Sequence, residues 1–195
     1  MKNRRWAERL GAVAAVVALG QPALASTAHA DIHPLDNGGF ELGAAGWRQS
    51  STVPGYRPIG NQPSPAAHSG TWKAVLGGHG VGADTVSRTF TVPAFASTRV
   101  SYWLHVEDPR SGDRGFRQLV VALTSEDGVT YASDSFTNKD WTERYERREL
   151  TLPDGFVAAV PRQLTLTFLA AEGVGNHHPF LVDDVDITTT VRLQL

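Results

Sequence analysis

The sequence predicts an all-β protein in which antiparallel strands form two packed sheets, a β-sandwich. Three observations support this prediction. Apolar and polar residues alternate with a period of two in most segments after residue 30, as in strands with one buried face. Turn-forming residues such as Gly77-Gly78 and Asp108-Pro109 separate those segments. No sustained helical period lies between them, which favours antiparallel sheets over a parallel α/β fold.

Eight segments have the alternating pattern and are predicted to be strands. In chain order they are Trp72–Leu76, Thr85–Val92, Arg99–Val106, Arg117–Thr124, Thr130–Phe136, Tyr145–Leu152, Gln163–Ala170 and Phe180–Val191. The region Gln49–Ala67 differs, because it is rich in proline, glycine, serine and asparagine and shows no period. A long surface loop is expected there, and such loops often carry binding contacts.

The alternation also predicts which side chains face the core. In the third predicted strand the inward residues are Val100, Tyr102, Leu104 and Val106. Trp103 and His105 then lie on the opposite face. Burying each inward side chain contributes roughly 1.5–3 kcal/mol, so a slip by one residue, which would expose them all, is strongly disfavoured.

The first thirty residues predict a secretory signal peptide. Four basic residues lie near the start, the apolar run Leu10–Gly20 follows, and Ala28-His29-Ala30 matches a cleavage site. The run is about half the roughly 20 residues that a membrane-spanning helix needs, although a short N-terminal anchor remains the alternative. We therefore expect a single binding domain over residues 31–195, secreted to the extracellular space, with no membrane contact after cleavage.

Charge and cysteine content exclude several classes of function. The 195-residue chain has 18 lysines and arginines against 20 aspartates and glutamates, a formal net charge of −2. This balance excludes the strongly basic surface of a typical nucleic-acid-binding protein. The sequence has no cysteine, which excludes thiol nucleophiles, disulfides and thiolate zinc sites. A secreted chain of this kind is stabilised by its core or by a bound ion, and calcium needs only oxygen ligands.

The last predicted strand contains a carboxylate that faces inward. Strict alternation puts Leu181, Asp183, Val185 and Ile187 on one, mostly aliphatic face. Asp184 and Asp186 then face solvent. A buried carboxylate without a partner is very costly, so Asp183 must be protonated, paired with a base such as Arg88, bound to a cation, or hydrogen-bonded as a cap at the sheet end.

A second carboxylate of this kind follows two glycines near residue 40. In Asn37-Gly38-Gly39-Phe40-Glu41, Phe40 is the expected core residue, and the glycines allow backbone carbonyls to turn toward a ligand. The Glu41 carboxylate and the Gly39 carbonyl offer oxygen ligands two residues apart. This spacing suits a calcium ion at a strand edge.

Five segments occur in the order seen in a known family. They are NGGFELGAAGW, AHSGTWKAVLGG, DTVSRTFTVPA, RVSYWLHV and FLVDDVDI. In order and spacing they resemble galactose-binding-like jelly-roll modules, including the carbohydrate-binding modules appended to secreted bacterial hydrolases, over residues 35–190. The resemblance implies a jelly roll of about eight to ten strands. It also implies a structural calcium bound by Gly39, Glu41, Thr71 and Asp183.

No motif identifies a sugar site, so the candidates come from physical requirements. A sugar ring packs its C–H face on an exposed aromatic plane, and polar neighbours fix its hydroxyls. Five residues meet these requirements: Trp103 and His105 on one strand face, Trp141 and Tyr145 on another segment, and Tyr56 in the proline-rich loop. The structural alternative is that Trp103 covers the sheet and that Trp141 fills a loop.

Catalytic signatures are weak, and no catalytic residue is predicted. The sequence has no G-x-S-x-G elbow, H-E-x-x-H helix or glycine-rich phosphate loop. His177-His178 is interpreted as a polar loop tip. Two groups of acidic residues could supply an acid/base pair as glycosidases require: Glu107, Asp108 and Asp113, or Glu143, Glu146 and Glu149.

The sequence therefore predicts a secreted, non-catalytic binding module whose partner is a polysaccharide or glycan. Two alternatives remain at this stage. One is a jelly-roll glycoside hydrolase or polysaccharide lyase, and the other is a module that docks onto a surface protein. A fold alone does not decide between them.

Overall fold

Two antiparallel sheets pack face to face in the computed structural model of the chain. The structure describes residues 29–108, 115–153, 156, 158–175 and 178–192. The predicted signal peptide lies outside this part except for His29 and Ala30, and it remains a prediction. Among the described residues, no helix has the length and hydropathy needed to cross a bilayer.

Within the described residues, eleven strands make up the sandwich. In chain order they are β1 (His29–Ile32), β2 (Arg48–Ser51), β3 (Ile59–Gly60), β4 (Lys73–Leu76), β5 (Gly82–Val92), β6 (Ala96–Val106), β7 (Arg117–Ser125), β8 (Thr130–Thr137), β9 (Glu146–Thr151), β10 (Arg162–Glu172) and β11 (Phe180–Arg192). The six-stranded sheet has the order β3-β4-β11-β6-β9, with β1 also paired to β11. The five-stranded sheet has the order β2-β5-β10-β7-β8. The predicted β-sandwich is confirmed.

All eight predicted strands are present, with ends that differ by a few residues. The three further strands are short and pair at the margins of the sheets. All of β3, and all of β2 except its first residue, lie inside Gln49–Ala67, which was predicted to be a loop throughout, and that prediction is wrong for these residues. The β2 strand pairs with β5, and β3 contributes two residues beside β4. A strand of two to four residues is too short to show a period in the sequence.

The predicted alternation along β6 is confirmed. Its inward residues Val100, Tyr102, Leu104 and Val106 are at most 1% exposed. They pack in one core with the inward residues of β7 and β10, which are Leu119, Val121, Leu123, Leu164, Leu166 and Phe168. Trp103 and His105 are half-buried on the outer face, as predicted.

A β-bulge in β11 changes the face on which Asp183 lies. Asp183 pairs with Trp103, whereas Asp186 pairs with Ser101, so β11 contains one extra residue between these pairs. Before the bulge Leu181 and Asp183 share the outer face with His105 and Trp103. After it, Val185 and Ile187 face the core. The prediction that these four β11 residues share one face is therefore wrong.

Asp183 is nevertheless completely buried, with 0% of its surface exposed. The chain that precedes β4 covers it, because the backbone N–H groups of His68 and Ser69 donate to Asp183 Oδ2 at 2.8 and 3.2 Å. Lys73 is buried beneath the same segment and donates to the Gln62 carbonyl at 2.6 Å. This segment covers the outer face of β11 at Asp183, whereas Asp186, beyond the bulge, is 45% exposed and Trp103 on β6 is only half-buried.

The glycine-rich segment near residue 40 packs directly on the bulge. The Val185 N–H donates to the Gly38 carbonyl at 3.0 Å, and Asp184 at the bulge has a φ of 43°. Phe40 is fully buried, as predicted, with its ring centroid 5.0 Å from that of Trp47. The two motifs that the sequence singled out for their carboxylates thus meet in space.

Candidate functional site

An aromatic groove lies on the open outer face of the six-stranded sheet. Trp103 projects outward from β6, and its cross-strand partner on β9 is Arg147. Residues that face each other across an antiparallel pair project on the same side of the sheet. Tyr145, just before β9, reaches His105 with a ring-centroid distance of 5.4 Å. The groove therefore follows from the alternation of two neighbouring strands.

The segment that covers Asp183 forms one wall of the groove. His68 stacks on Trp103 with ring centroids 3.9 Å apart and planes 16° apart. Its Nδ1 donates to Asp184 Oδ2 at 2.6 Å, which fixes the imidazole. The Tyr145 hydroxyl donates to the Ala66 carbonyl at 3.0 Å and joins the wall to the sheet. Burial, followed by the nearby Asp183 and Asp184 carboxylates, raises the pKa of Tyr145, so the hydroxyl keeps its proton.

Two open pockets lie in this groove. The first has a volume of about 580 Å³ and is lined by Ala67, His68, Trp103, Arg144, Tyr145, Glu146 and Arg147. The second has a volume of about 510 Å³ and is lined by His105, Glu107, Asp108, Trp141, Thr142, Glu143 and His178. Buried Arg117 supports the second pocket from below, since its guanidinium donates to the carbonyls of Glu107 and His178.

Four of the five predicted ligand-binding residues lie along this groove. Trp103 and Tyr145 line the first pocket, and His105 and Trp141 line the second. Trp141 is 48% exposed. Tyr56 lies apart, because its ring packs against His79 and its hydroxyl donates to the Val75 carbonyl at 2.8 Å.

The predicted metal-ligating residues surround one short stretch of chain, residues 68–72. Glu41 Oε1 accepts the N–H groups of Thr71 and Trp72 at 2.9 and 2.8 Å, and Glu41 Oε2 accepts the Thr71 hydroxyl at 3.2 Å. Asp183 accepts the N–H groups of His68 and Ser69, three and two residues before Thr71. The two carboxylates thus hold the same stretch from two sides.

Asp184 adds a third carboxylate, which the sequence had predicted to be free in solvent. Its Oδ1 accepts the Ser69 hydroxyl at 2.8 Å, and a Cβ on Gly39 would come within 3.0 Å of the same oxygen. The Gly39 backbone therefore lies beside this carboxylate. Arg88, the base considered as a partner of Asp183, instead lies 3.5 Å from Asp36.

The pKa values of the Asp183 and Glu41 carboxylates are shifted in opposite directions. Burial raises the pKa of Asp183 to about 6, although the N–H groups of Asp184, Ser69 and His68 favour the ionised form. The N–H groups of Trp72 and Thr71 lower the pKa of Glu41. Each carboxylate oxygen of Glu41 and Asp183 already accepts a hydrogen bond. Of the four states considered for Asp183 from the sequence, this arrangement corresponds to the hydrogen-bonded cap.

The donor set itself is of the kind that calcium takes, since it consists of oxygen atoms. In the described part of the chain, no group of three or more His, Asp and Glu side chains has a metal-binding arrangement. A calcium ion here would therefore need backbone carbonyls, such as that of Gly39, besides the carboxylates.

Sequence reasoning missed three groove residues, His68, Arg144 and Arg147. Arg147 could have been found, because alternation from Tyr145 places it on the same face. His68 lies in a segment without a period, so its contact with Trp103 depends on the path of the loop. Of the proposed acid/base residues, Glu107, Asp108 and Glu143 line the second pocket, Glu146 lines the first, and Asp113 lies outside the described residues. Of the histidine pair interpreted as a loop tip, His178 lines the second pocket and His177 lies outside the described residues.

Comparison with known proteins identifies the fold. No protein-family model matches the sequence, and no curated protein matches it significantly. Among solved structures, TmCBM61 in complex with β-1,4-galactotriose is 21% identical, with a TM-score of 0.57 over 80% of this chain and 97% of that one. The Stig cyclase Fisc from Fischerella sp. TAU is 16% identical, with a TM-score of 0.54 over 84% of this chain and 98% of the cyclase.

The enzymatically active domain of tailspike protein 4 from bacteriophage CBA120 is also similar. It is 14% identical, with a TM-score of 0.50 over 83% of this chain and 22% of that one. At these identities the likeness concerns the fold. Structures with this fold include carbohydrate-binding modules, which confirms the predicted resemblance, and they include enzymes as well.

Proposed function

We propose that the protein is a secreted, non-catalytic module that binds a glycan in the groove over Trp103. The observation that supports this most strongly is the open pocket of about 580 Å³ bounded by three aromatic rings, those of Trp103, His68 and Tyr145. Sugar rings bind such sites by packing C–H faces on aromatic planes. The fold shared with TmCBM61, which was solved with a galactotriose, supports the same function.

The groove is suited to binding because its aromatic residues are held rigidly. His68 is fixed by Asp184, and Tyr145 is fixed by the Ala66 carbonyl, so neither side chain needs to be ordered when a ligand binds. Ordering a mobile side chain costs about 0.5–1.5 kcal/mol of binding free energy. Neighbouring carbonyl, carboxylate and guanidinium groups supply hydrogen bonds for sugar hydroxyls.

The proposed binding is tested on a glycan array followed by calorimetry with the best oligosaccharide. Trp103→Ala should weaken binding at least about tenfold, since stacked aromatic contacts are among the strongest in such sites. Trp141→Ala measures whether the ligand extends into the second pocket. Phe116→Ala, which removes an aromatic ring that is 59% exposed and outside both pockets, is the control and should leave affinity unchanged.

Three results would contradict this proposal. Equal affinity of wild type and the Trp103 variant would place the ligand elsewhere. Release of reducing ends or unsaturated sugars would indicate a hydrolase or lyase, with Glu107, Asp108 and Glu143 in the second pocket as the first residues to mutate. Retention on no glycan would favour the alternative in which the module docks onto a surface protein.

We also propose that the structural calcium is bound by Glu41 and Asp183 with backbone carbonyls of Gly39 and Thr71. Three carboxylates, including Asp184, lie around residues 68–72, and this concentration of negative charge supports a cation. Calcium bound only to the folded state stabilises it by mass action. EDTA should therefore lower the melting temperature of wild type and leave that of Asp183→Asn unchanged.

Asp134→Asn is the matched control for the calcium measurement, because Asp134 is an exposed carboxylate on β8. This variant should keep the full response to EDTA. A wild-type melting temperature that is the same with calcium and with EDTA would contradict the calcium proposal. The hydrogen bonds from residues 68–72 would then be sufficient to hold both carboxylates.

Secretion is the remaining part of the proposal, and it depends on the predicted signal peptide. Cleavage after Ala30 would leave Asp31 as the first residue of the mature chain. N-terminal sequencing of protein from the culture medium tests this, and protein that stays in the cell with Met1 intact would contradict it.

A further inference from the structure

We infer that the sugar bound over Trp103 is anionic, and that Arg144 and Arg147 bind its carboxylate or sulfate group. This inference rests on the proposed glycan-binding function and names the class of sugar. It follows from which charges line the first pocket and from the partners that those charges have.

The guanidinium groups of Arg144 and Arg147 lie beside Trp103 in the first pocket. Arg147 is the direct cross-strand partner of Trp103, so both side chains leave the sheet on the same side and as neighbours. Arg144 lines the same pocket. Two guanidinium groups and an indole ring therefore border one open volume of about 580 Å³. His68 covers one face of the indole, and a sugar ring in the remaining open volume has its substituents within reach of these groups.

Arg144 and Arg147 differ in the ion pairs that they form with neighbouring carboxylates. Within the described residues Arg144 forms no ion pair. Arg147 lies 3.5 Å from Glu149, which also lies 3.7 Å from Arg99, and both arginine side chains are 54% exposed. Exposed pairs of this kind are weak and easily exchanged. Arg147 is also attracted by the Asp186 carboxylate, which is 45% exposed. Among the described residues Arg144 is therefore the guanidinium of this pocket without an ion pair, and a ligand anion replaces the exposed contacts of Arg147.

The carboxylates near the first pocket have closer partners than Arg144 and Arg147. Glu146, the carboxylate that lines the pocket, accepts a hydrogen bond from Arg148 at 2.7 Å. Asp184 is bound by His68 at 2.6 Å, and Asp186, farther along β11, is bound by His33 at 3.0 Å. Arg144 and Arg147 thus remain as the positive charge directed at the ligand.

The second pocket has the opposite character. Glu107, Asp108 and Glu143 line it, so it repels an anion that the first pocket attracts. The formal net charge of the chain is −2, and general attraction of polyanions is not expected. A guanidinium binds carboxylate and sulfate through two parallel hydrogen bonds. This geometry distinguishes the first pocket from a merely basic surface.

The inference is tested with oligosaccharides in matched pairs. Uronate oligosaccharides are compared with their carboxyl-reduced counterparts, and sulfated oligosaccharides with their desulfated ones. Wild type should bind the anionic member of at least one pair about tenfold more tightly, which is the effect of one hydrogen bond to a charged group. The pair that shows the preference identifies carboxylate or sulfate as the recognised group.

Charge-removing variants locate the effect. Arg144→Gln combined with Arg147→Gln should abolish the preference, so that the double variant binds both members of the pair with equal affinity. Arg99→Gln is the control, since Arg99 has the same exposure and the same carboxylate partner as Arg147 but does not line the pocket. It should keep the full preference, and circular dichroism should show all variants to be folded.

The outcomes separate this inference from the proposed function. Equal affinity for both members of every pair, or a preference that survives in the double variant, overturns the inference and leaves glycan binding intact. Binding of no member of any pair, together with an empty neutral glycan array, overturns both.

Discussion

Gly38 shows how one residue joins the two motifs around the carboxylate cluster. A Cβ at this position would lie 1.7 Å from the Val185 carbonyl oxygen, a distance that no packing adjustment of side chains can relieve. The same contact brings the Val185 N–H to the Gly38 carbonyl at 3.0 Å. Glycine is therefore required here for close approach of two backbones, and not for a positive φ.

We predict that Gly38→Ala lowers the free energy of unfolding by more than about 3 kcal/mol, because the backbones must separate at the bulge. Gly173→Ala is the control, since the nearest atom to its new Cβ would be 3.6 Å away, an ordinary contact. Urea denaturation of both variants measures the difference. A Gly38 variant as stable as the Gly173 variant would contradict the close approach.

The predictability of single residues depended on their surroundings. Phe40 and the alternating residues of β6 were predicted correctly, because their apolar character has one interpretation. Asp183 was predicted to be buried and is buried, but on the other face of the sheet. Phe180, Leu181 and Val182 are all apolar, so the sequence there is compatible with either phase of the strand. The positive φ of Asp184 decides the phase, and a pattern of apolar residues does not show it.

At the level of the strands, β6 carries two functions on its two faces. Leu104 is fully buried in the core, whereas its neighbour Trp103 is half-buried at the floor of the groove. Both faces are specified by the same alternation, which made Trp103, His105 and Tyr145 predictable as a set. The loop that carries His68 has no such period, so the wall of the groove could be obtained only from the structure.

We predict that substitutions at these two neighbours have separable effects. Leu104→Ala should lower the free energy of unfolding by about 2–5 kcal/mol, the usual cost of a cavity in a core, and leave glycan affinity of the folded protein unchanged. Trp103→Ala should cost less stability and weaken glycan binding at least about tenfold. Thermal melts combined with calorimetry measure both quantities, and a loss of both properties in both variants would contradict the separation of the faces.

In the whole molecule, buried charged groups close one end of the sandwich. Asp84 and Glu172 are 1% and 7% exposed, and the turn at residues 77–79 covers them. The N–H of Gly77 donates to Asp84 at 2.7 Å, and that of Gly78 donates to Glu172 at 2.6 Å. One turn therefore donates hydrogen bonds to carboxylates on two strands of the five-stranded sheet, although Asp84 Oδ1 accepts none within the described residues.

The pH dependence of stability should reflect this end of the molecule. Burial raises the pKa of Glu172, so the folded protein binds this proton more tightly than the unfolded chain does. The stabilising contribution is fully present below the unfolded pKa and is lost as the pH rises through the folded one. Glu172→Gln, which cannot ionise, should therefore gain melting temperature relative to wild type as the pH rises from about 4, near the unfolded pKa of a glutamate, into the neutral range.

Melting curves across this pH range, with exposed Glu126→Gln as the control, measure the difference. The control should follow wild type at every pH. A Glu172 variant whose melting temperature also stays parallel to that of wild type would contradict a raised pKa at this position.

We expect a glycan to bind over Trp103 and not elsewhere on the sandwich. The most direct measurement is an NMR titration of the labelled protein with the oligosaccharide that binds best on the array. We expect the signals of the Trp103 indole, the Tyr145 ring and the Arg147 guanidinium to shift together and to saturate at one affinity. Shifts confined to Tyr56 and His79, or to the strand ends near Val81 and Val174, with the Trp103 signal unchanged, would contradict it.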